Sequence, residues 1–293
     1  MIVVTAPTGQ IGHHVVNDLL AAGTPLRLIA RDASKLPGHV RERVEVFEGS
    51  HGDAAVVDRA FEGADAVFWL PPADANKTPE EAFLDFTRPA ADAIRARGVK
   101  RVVSITALGR GTEWESRAGL ATASIRMDDM LMASGAAFRG LAMPSFMDNV
   151  LRQATPIKEK GMFFGQIDPD KKAPTTATRD MGTAAARLLA DDTWTGQEDV
   201  PVLGPEDLSF NDKAAIISEV LGREVRYQQT PLDALKQQLL GGGANGSFAQ
   251  GVVDMMRAKN ECMDNVAART AASRMPTSFR QWCKETLKPA VLG

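Results

Sequence analysis

The chain reads as an α/β protein, a Rossmann-type doubly wound parallel sheet followed by a smaller C-terminal α+β portion. Three observations predict it. An apolar run, Ile2-Val3-Val4-Thr5, feeds a turn with glycines three apart, Gly9 and Gly12, and then apolar residues at helical spacing, Val15, Val16, Leu19 and Leu20. Short apolar runs then alternate with helical patterns through the first half of the chain, a spacing that calls for parallel strands joined by right-handed crossovers. Past Asn149 the alternation loosens, which sets the expected domains: a nucleotide-binding domain over residues 1–150 and a smaller substrate-binding portion over 151–293, some of whose segments return to the main sheet.

The opening turn predicts a ligand. Unshielded backbone N–H groups beside the positive end of a helix cradle a pyrophosphate, so Thr5, Ala6, Thr8, Gly9, Gln10, Ile11 and Gly12 are candidate contacts of a bound dinucleotide. Gly9 lets the backbone approach phosphate oxygens, and Gly12 lets the helix pack close to the strand. Ala6 stands where the three-glycine fingerprint has its first glycine. Its methyl group disfavours positive φ, and Pro7 restricts the residue before it to extended backbone, so the turn is expected to hold Ala6 in an ordinary region. His13 and His14 follow Gly12 and flank the phosphate site rather than acting as acids.

Gly23 closes the first helix, Pro25 to Ala30 forms the second strand, and Arg41 to Phe47 leads into the third. His51 follows the third strand, where a loop passes the adenine, and is assigned no chemical role. Ala66 to Leu70 is a fourth strand, apolar on both faces and stopped by Pro71-Pro72. Leu70 and Pro71 are assigned to the cofactor, because ligands of such sheets lie beyond the strand C-termini. Thr78-Pro79-Glu80-Glu81 carries a proline at the first helical position and a Thr-x-x-Glu capping box, and that helix runs to Arg97 and ends at Gly98. Val99 to Ile105 is a fifth strand, and Ala121 to Ala133 a helix closed by Ser134-Gly135.

The residue after the second strand selects the dinucleotide. An acidic side chain there holds the ribose 2′-hydroxyl of NAD, whereas an arginine accommodates the 2′-phosphate of NADP. This chain has Arg31, with Lys35 four residues on and Asp32 turned away or toward Lys35, so NADP(H) is favoured over NAD(H).

Composition narrows the class further. With 293 residues, 44% hydrophobic and 24% charged, the chain can bury a large core, and its net charge of −3 presents no basic surface for nucleic acid or an anionic membrane. No apolar run reaches the length of a membrane span, and Met1 leads directly into a strand, so a cytoplasmic location is expected. The two cysteines, Cys262 and Cys283, lack metal-ligand spacing and are expected as reduced structural thiols, with no metal site. A homodimer is compatible with this reading.

Val4 to Gly12, Arg31, Gly135, the segment Pro144-Ser145-Phe146-Met147-Asp148-Asn149, the segment Arg179-Asp180-Met181 and the closing Pro276-Thr277-Ser278-Phe279 together resemble the NmrA-like branch of the atypical short-chain dehydrogenases/reductases. That branch holds NAD(P)H quinone reductases, isoflavone-reductase-like enzymes and NmrA redox-sensing regulators. The resemblance spans nearly the whole chain and implies a Rossmann domain and a small C-terminal substrate domain with the cofactor between them. It also implies that Pro144, Phe146 and Asn149 lie near the cofactor, with Phe146, Met147 and Asn149 toward the nicotinamide.

Carbonyl-reducing short-chain dehydrogenases need a tyrosine acid with a lysine four residues later. The single tyrosine, Tyr227, is followed by Thr230-Pro231, so that dyad is absent. In isoflavone-reductase-like relatives a lysine lies eleven residues ahead of the glycine that matches Gly135; here that position is Ser124, and the catalytic group is left unassigned. Asp128 and Asp129 are expected on the solvent face of the helix. Two readings follow: a reductase whose acceptor needs no strong protein acid, such as a quinone, or an NAD(P) redox sensor that regulates a partner protein without turnover.

In the second half, Ile157 to Lys172 reads as a polar stretch with Phe163-Phe164 as pocket or core aromatics. Lys171-Lys172 is either a solvated pair or, by resemblance, a cofactor contact. Asp180 to Leu189 and Asn211 to Leu221 read as helices, Pro201 to Leu203 and Val225 to Gln229 as strands, and Gly241 to Gly246 as a flexible connection. Met255, Met256 and Met263 either line a substrate site or pack in a core.

Overall fold

A computed structural model describes residues 1–293. The chain forms two compact units that interleave in sequence. Met1–Thr106, Ala123–Ala142 and Met181–Val200 make the first; Ala107–Thr122, Met143–Asp180 and Pro201–Gly293 make the second. The interleaving gives each unit about half of the chain. The cause is topological: the segment after strand five leaves the first unit early, and a helix and strand beyond residue 180 return to it.

The first unit runs β1 (Ile2–Thr5), α1 (Gly12–Ala21), β2 (Leu26–Ala30), α2 (Gly38–Arg41), β3 (Glu45–Glu48), α3 (Ala54–Ala60), β4 (Ala66–Trp69), α4 (Phe86–Arg97), β5 (Arg101–Ala107), α5 (Leu120–Met132) and β6 (Ala137–Met143). Its seven strands order as β3-β2-β1-β4-β5-β6, with Gln197–Pro201 on the outer edge. β1 pairs in parallel with β2 on one side and β4 on the other, Ile2 standing opposite Leu26 and Ala66. The order reverses at β1, which puts the ligand crevice beyond its C-terminal end.

Burial explains why these segments form a sheet. β1 and β4 are buried along their whole length, as strands covered on both faces must be. Phe61, Val67, Trp69, Ile94, Val102 and Phe138 belong to one apolar cluster, and the only polar atom of Trp69, Nε1–H, donates to Thr87 Oγ1 at 3.0 Å. The capping box forms: Glu81 N–H donates to Thr78 Oγ1 at 3.2 Å, and the Glu81 carboxylate accepts from Thr78 N at 2.8 Å. Those donors hold the Glu81 carboxyl below the usual range. The turns from Glu80 to Asp85 are π-type, immediately ahead of Pro89, which has no N–H to continue an α ladder. Gly98, at φ 66°, ends α4.

One strand falls elsewhere than its sequence predicts. The edge strand is Gln197–Pro201 rather than Pro201 to Leu203, because the polar run ahead of the proline supplies the pairing and Leu203 makes only an isolated bridge to Arg274.

In the second unit, Ser145–Phe146, Ala173–Thr176 and Asp207–Leu208 form a small sheet, and Met162–Gly165 pairs in parallel with Arg226–Gln229. The polar stretch from Ile157 to Lys172 thus contains a strand, and it opens with the end of the helix Ala154–Lys160. Phe163 is a core residue, with Ile157, Ile217, Phe279 and Trp282 in the same cluster. Met263 is also core, fully buried beside Trp114 and Ala118, while Met255 packs at the edge of that cluster. The glycine run from Gly241 joins the helices Leu232–Gly241 and Gly246–Asn260. No helix is long and apolar enough to cross a membrane.

Candidate cofactor site

The turn between β1 and α1 departs from expectation at Ala6, whose φ is 49°. This left-handed conformation aims the Ala6 carbonyl at the Gly9 amide, which donates to it at 3.0 Å. It is tolerated, at a strain of about 1–2 kcal/mol for a residue with a Cβ, because the turn over-determines it. Gly12 is the counterpart. A Cβ there would stand 2.1 Å from the Ala6 oxygen and 2.8 Å from its carbonyl carbon, so Gly12 is required by the turn itself. At Gly9 the same Cβ would meet that oxygen at 3.2 Å, a much milder contact.

The cradle is open toward an anion. The amides of Thr8, Gln10 and Ile11 have no acceptor within the protein, and α1 begins without a side-chain cap or an acidic residue in its first turn. His13 Nδ1–H donates to the Gly9 carbonyl at 2.8 Å, and its exposed ring lies 3.8 Å from that of His14. The fully buried Thr5 hydroxyl donates to the Phe68 carbonyl at 2.9 Å and accepts from Leu70 N at 3.0 Å, tying β1 to the end of β4. Leu70 in turn accepts from His51 Nε2 at 3.0 Å. The His51 ring is buried edge-on against Trp69 and Phe86, at centroid distances of 5.3 and 4.8 Å. Burial, helped by the charge of Arg31, pushes its pKa down to about 4 against the opposing bond to Leu70. Pro71, next to Leu70, is buried.

Arg31 leaves β2 exposed, with no hydrogen bond or ion pair, and Lys35 is exposed as well. Asp32 turns to Ser34. Its carboxylate accepts from Ser34 Oγ at 2.6 Å and Ser34 N at 2.9 Å, caps the turn Ala33–Lys35, and is held below its usual range chiefly by those bonds.

Beyond β5, Ser124 is buried, and its Oγ lies 3.3 Å from Thr106 Oγ1. The expectation for Asp128 is overturned. Its carboxylate is fully buried and accepts from Ser104 Oγ at 2.6 Å, because Ser124 and Asp128 share one face of α5 that turns toward the sheet. Asp129 is exposed.

The segment that carries Pro144, Phe146 and Asn149 belongs to the second unit, with Pro144 buried, Phe146 half-buried and Asn149 exposed. Ser145 N and Oγ donate to buried Asp264, which pairs with Lys259 at 2.7 Å. Asp148 accepts from Thr178 N at 2.9 Å, and Asp180 accepts from Thr277 N and Oγ1. Burial raises the Asp180 pKa. Asp148 thus ties the Pro144–Asn149 segment to Thr178, and Asp180 ties the start of the following helix to Thr277 of the closing segment.

No tyrosine acid emerges. Tyr227 Oη donates to the Ile167 carbonyl at 2.8 Å, and burial raises its pKa. Lys213, which sequence reading passed over, is 4% exposed with Nζ 4.5 Å from the Phe210 ring centroid, and burial lowers its pKa to about 8. Lys171 Nζ donates to exposed Cys262 at 3.3 Å, Lys172 lies 3.8 Å from Asp212, and buried Cys283 is pushed up to about 12. The Ser145–Asp264 link joins residues 119 apart and leaves no local signal in sequence. The four-residue spacing of Ser124 and Asp128 is the one signal that could have revealed the buried carboxylate.

The profile of the NAD(P)H-binding family matches residues 7–192. The chain is 32% identical to the (4-alkanoyl-5-oxo-2,5-dihydrofuran-3-yl)methyl phosphate reductase of Streptomyces griseus over 82% of this chain and 80% of that protein. It is 30% identical to the NAD(P)H azoreductase of Xenophilus azovorans over 87% and 86%. Its fold matches the NADPH-dependent quinone oxidoreductase of Escherichia coli solved with NADPH, with a TM-score of 0.79 at 22% identity over 97% and 98% of the two chains. An open amide cradle, a free arginine after β2 and these relatives converge on one assignment: the chain belongs to the NAD(P)H-binding family, in its NmrA-like branch of atypical short-chain dehydrogenases/reductases, and is an NAD(P)H-dependent oxidoreductase.

Proposed function

We propose that the chain uses NADP(H) to reduce a quinone-like or other electron-poor acceptor by hydride transfer without a tyrosine–lysine dyad. The observation that carries this reading is the pairing of an open cofactor cradle with the absence of a strong acid at Ser124, whose hydroxyl meets only that of Thr106 at 3.3 Å. The quinone and azo substrates in the names of the two reductase relatives support the acceptor class.

The residues present fit the cofactor. Thr8, Gln10 and Ile11 offer free amides to the pyrophosphate, Gly9 and Gly12 keep the turn low, and Arg31 with Lys35 offers two unengaged cations to a 2′-phosphate. When bound, the reduced dinucleotide supplies the hydride. Thr5 and Ala6 shape the cradle, Leu70 and Pro71 border it, and Pro144, Phe146 and Asn149 are assigned to the cofactor by resemblance. The protein's part is then orientation and cofactor electronics, and solvent protonates the reduced acceptor. NADPH oxidation measured with a panel of quinones, an azo dye and unactivated ketones tests this. Turnover with the quinones or dye and none with the ketones is expected; tight NADPH binding with no acceptor turned over would replace the reading by that of a redox sensor.

A further inference from the structure

We propose that the acceptor carries an anionic group, a carboxylate or a phosphate, and that Lys213 binds it. The inference rests on the reductase reading above and names a substrate class for it. Lys213 is 4% exposed, and its Nζ makes no hydrogen bond or ion pair with any protein group; it rests over the Phe210 ring, whose centroid lies 4.5 Å away. Phe210 is itself stacked on Tyr227 at a centroid distance of 4.4 Å, so the ammonium is positioned before any ligand arrives. Lysine is almost never buried this deeply without a carboxylate partner, because an uncompensated ammonium away from water is costly. The aromatic face offsets part of that cost and leaves N–H donors unspent. What exposure remains includes the ammonium, which is not sealed from solvent.

The neighbouring carboxylates are engaged elsewhere. Asp264 pairs with Lys259 through both oxygens at 2.7 Å and accepts from Ser145 N and Oγ at 3.1 and 3.2 Å. Asp212 completes the capping box of the helix Phe210–Leu221, accepting from Ser209 N at 2.9 Å, with Lys172 3.8 Å away. Lys213 follows Asp212 in that helix, so it stands in the positive field of the helix N-terminus as well as in that of Lys259. Burial pulls its pKa down to about 8, Asp264 opposing the fall and Lys259 adding to it. A cation fixed in a positive field with donors unspent is a site for an anion. Its place suits a substrate: Lys213 falls in the portion that the sequence assigns to substrate binding, and Ser145, bonded to Asp264, precedes Phe146, which the proposed function sets at the cofactor.

The test follows NADPH oxidation by the full chain with one naphthoquinone that bears, on alkyl tethers of graded length, a carboxylate, a phosphate or a neutral hydroxyl. Wild type is expected to favour an anionic tether over the hydroxyl by about tenfold or more in kcat/KM, carried by KM, and the better of the two anions identifies the group that is taken. Lys213→Met should bring the three within about threefold and melt at or above the wild-type temperature, since it removes an uncompensated buried charge. Lys213→Arg, which keeps the charge, should retain part of the preference. Equal kcat/KM for charged and neutral tethers in wild type would overturn the inference and leave the reductase reading standing, as would an unchanged preference in Lys213→Met. A Lys213→Met chain that fails to fold would show Lys213 to be structural and would overturn it likewise. No turnover of any of these quinones despite NADPH binding would overturn the reductase reading, and this inference with it.

Discussion

Replacing Gly12 by alanine should dismantle the cradle, whereas the same change at Gly9 should disturb the fold far less. The Gly12 Cβ would be placed 2.1 Å from the Ala6 oxygen, 2.8 Å from its carbonyl carbon and 3.2 Å from Pro7 Cα, all backbone atoms that no rotamer change can move. Relief requires the turn or the start of α1 to shift by roughly an ångström, and Ala6 is already in a strained left-handed conformation. A backbone clash of this kind belongs with substitutions that cost about 2–4 kcal/mol, of which the better helix propensity of alanine returns about 1 kcal/mol. An ångström of displacement in a site built from rigid amides costs on the order of a hundredfold in binding. At Gly9 the one close contact within the protein, 3.2 Å to the Ala6 oxygen, needs a few tenths of an ångström, so Gly9→Ala should cost the fold much less than Gly12→Ala. Thermal unfolding reads the stability loss, and calorimetric titration with NADPH reads the affinity. Wild-type affinity in Gly12→Ala, or equal losses at the two glycines, would refute the geometry argued for this turn.

Arg31→Ala should weaken NADPH binding by about 1–3 kcal/mol and leave NADH nearly unchanged, and equal losses for both in parallel titrations would reject the 2′-phosphate assignment. Ser124→Ala should change quinone reduction by less than about tenfold, since a neutral hydroxyl that orients water or substrate contributes on the order of 1 kcal/mol; loss of activity beyond that in steady-state kinetics would mark Ser124 as a proton donor. The folded-state pKa of His51 is lowered from 6.5 to about 4, so the unfolded chain takes up this proton first as the pH falls. Its contribution to stability is complete above pH 6.5 and is lost progressively as pH falls toward 4, by up to about 3 kcal/mol. Denaturant unfolding of wild type and His51→Gln at pH 7 and pH 4.5 should therefore show wild type losing more stability than the variant across that interval, and identical losses would show that His51 is not buried as a neutral ring.

Much of the first unit was legible because its signals are local. The Thr78–Glu81 capping box, the glycine after α4 and the doubly buried run of β4 each lie within a few residues, and each formed as read. The errors came where tertiary structure overrides local preference. Ala6 and Pro7 together argue for ordinary backbone, yet the carbonyl of Ala6 must reach the Gly9 amide beneath a helix that starts three residues later, and that demand sets φ. A helix-surface reading of Asp128 failed for the same reason: charge predicts solvent, but Ser104 on the neighbouring strand supplies a donor that a single-segment reading cannot see.

The chemistry of the site divides along the same line. Binding is written in contiguous residues, because a phosphate cradle is made of successive backbone amides and its selectivity of the residue at the end of the next strand. Proton supply is written in distant pairs. In the first unit Ser124 faces Thr106, eighteen residues away, and in the second Tyr227 is committed to the Ile167 carbonyl, sixty residues away. On the function we propose, the acceptor is one whose reduced form takes its proton from water, and the Ser124 hydroxyl facing only that of Thr106 is what supports an electron-poor ring as the substrate class.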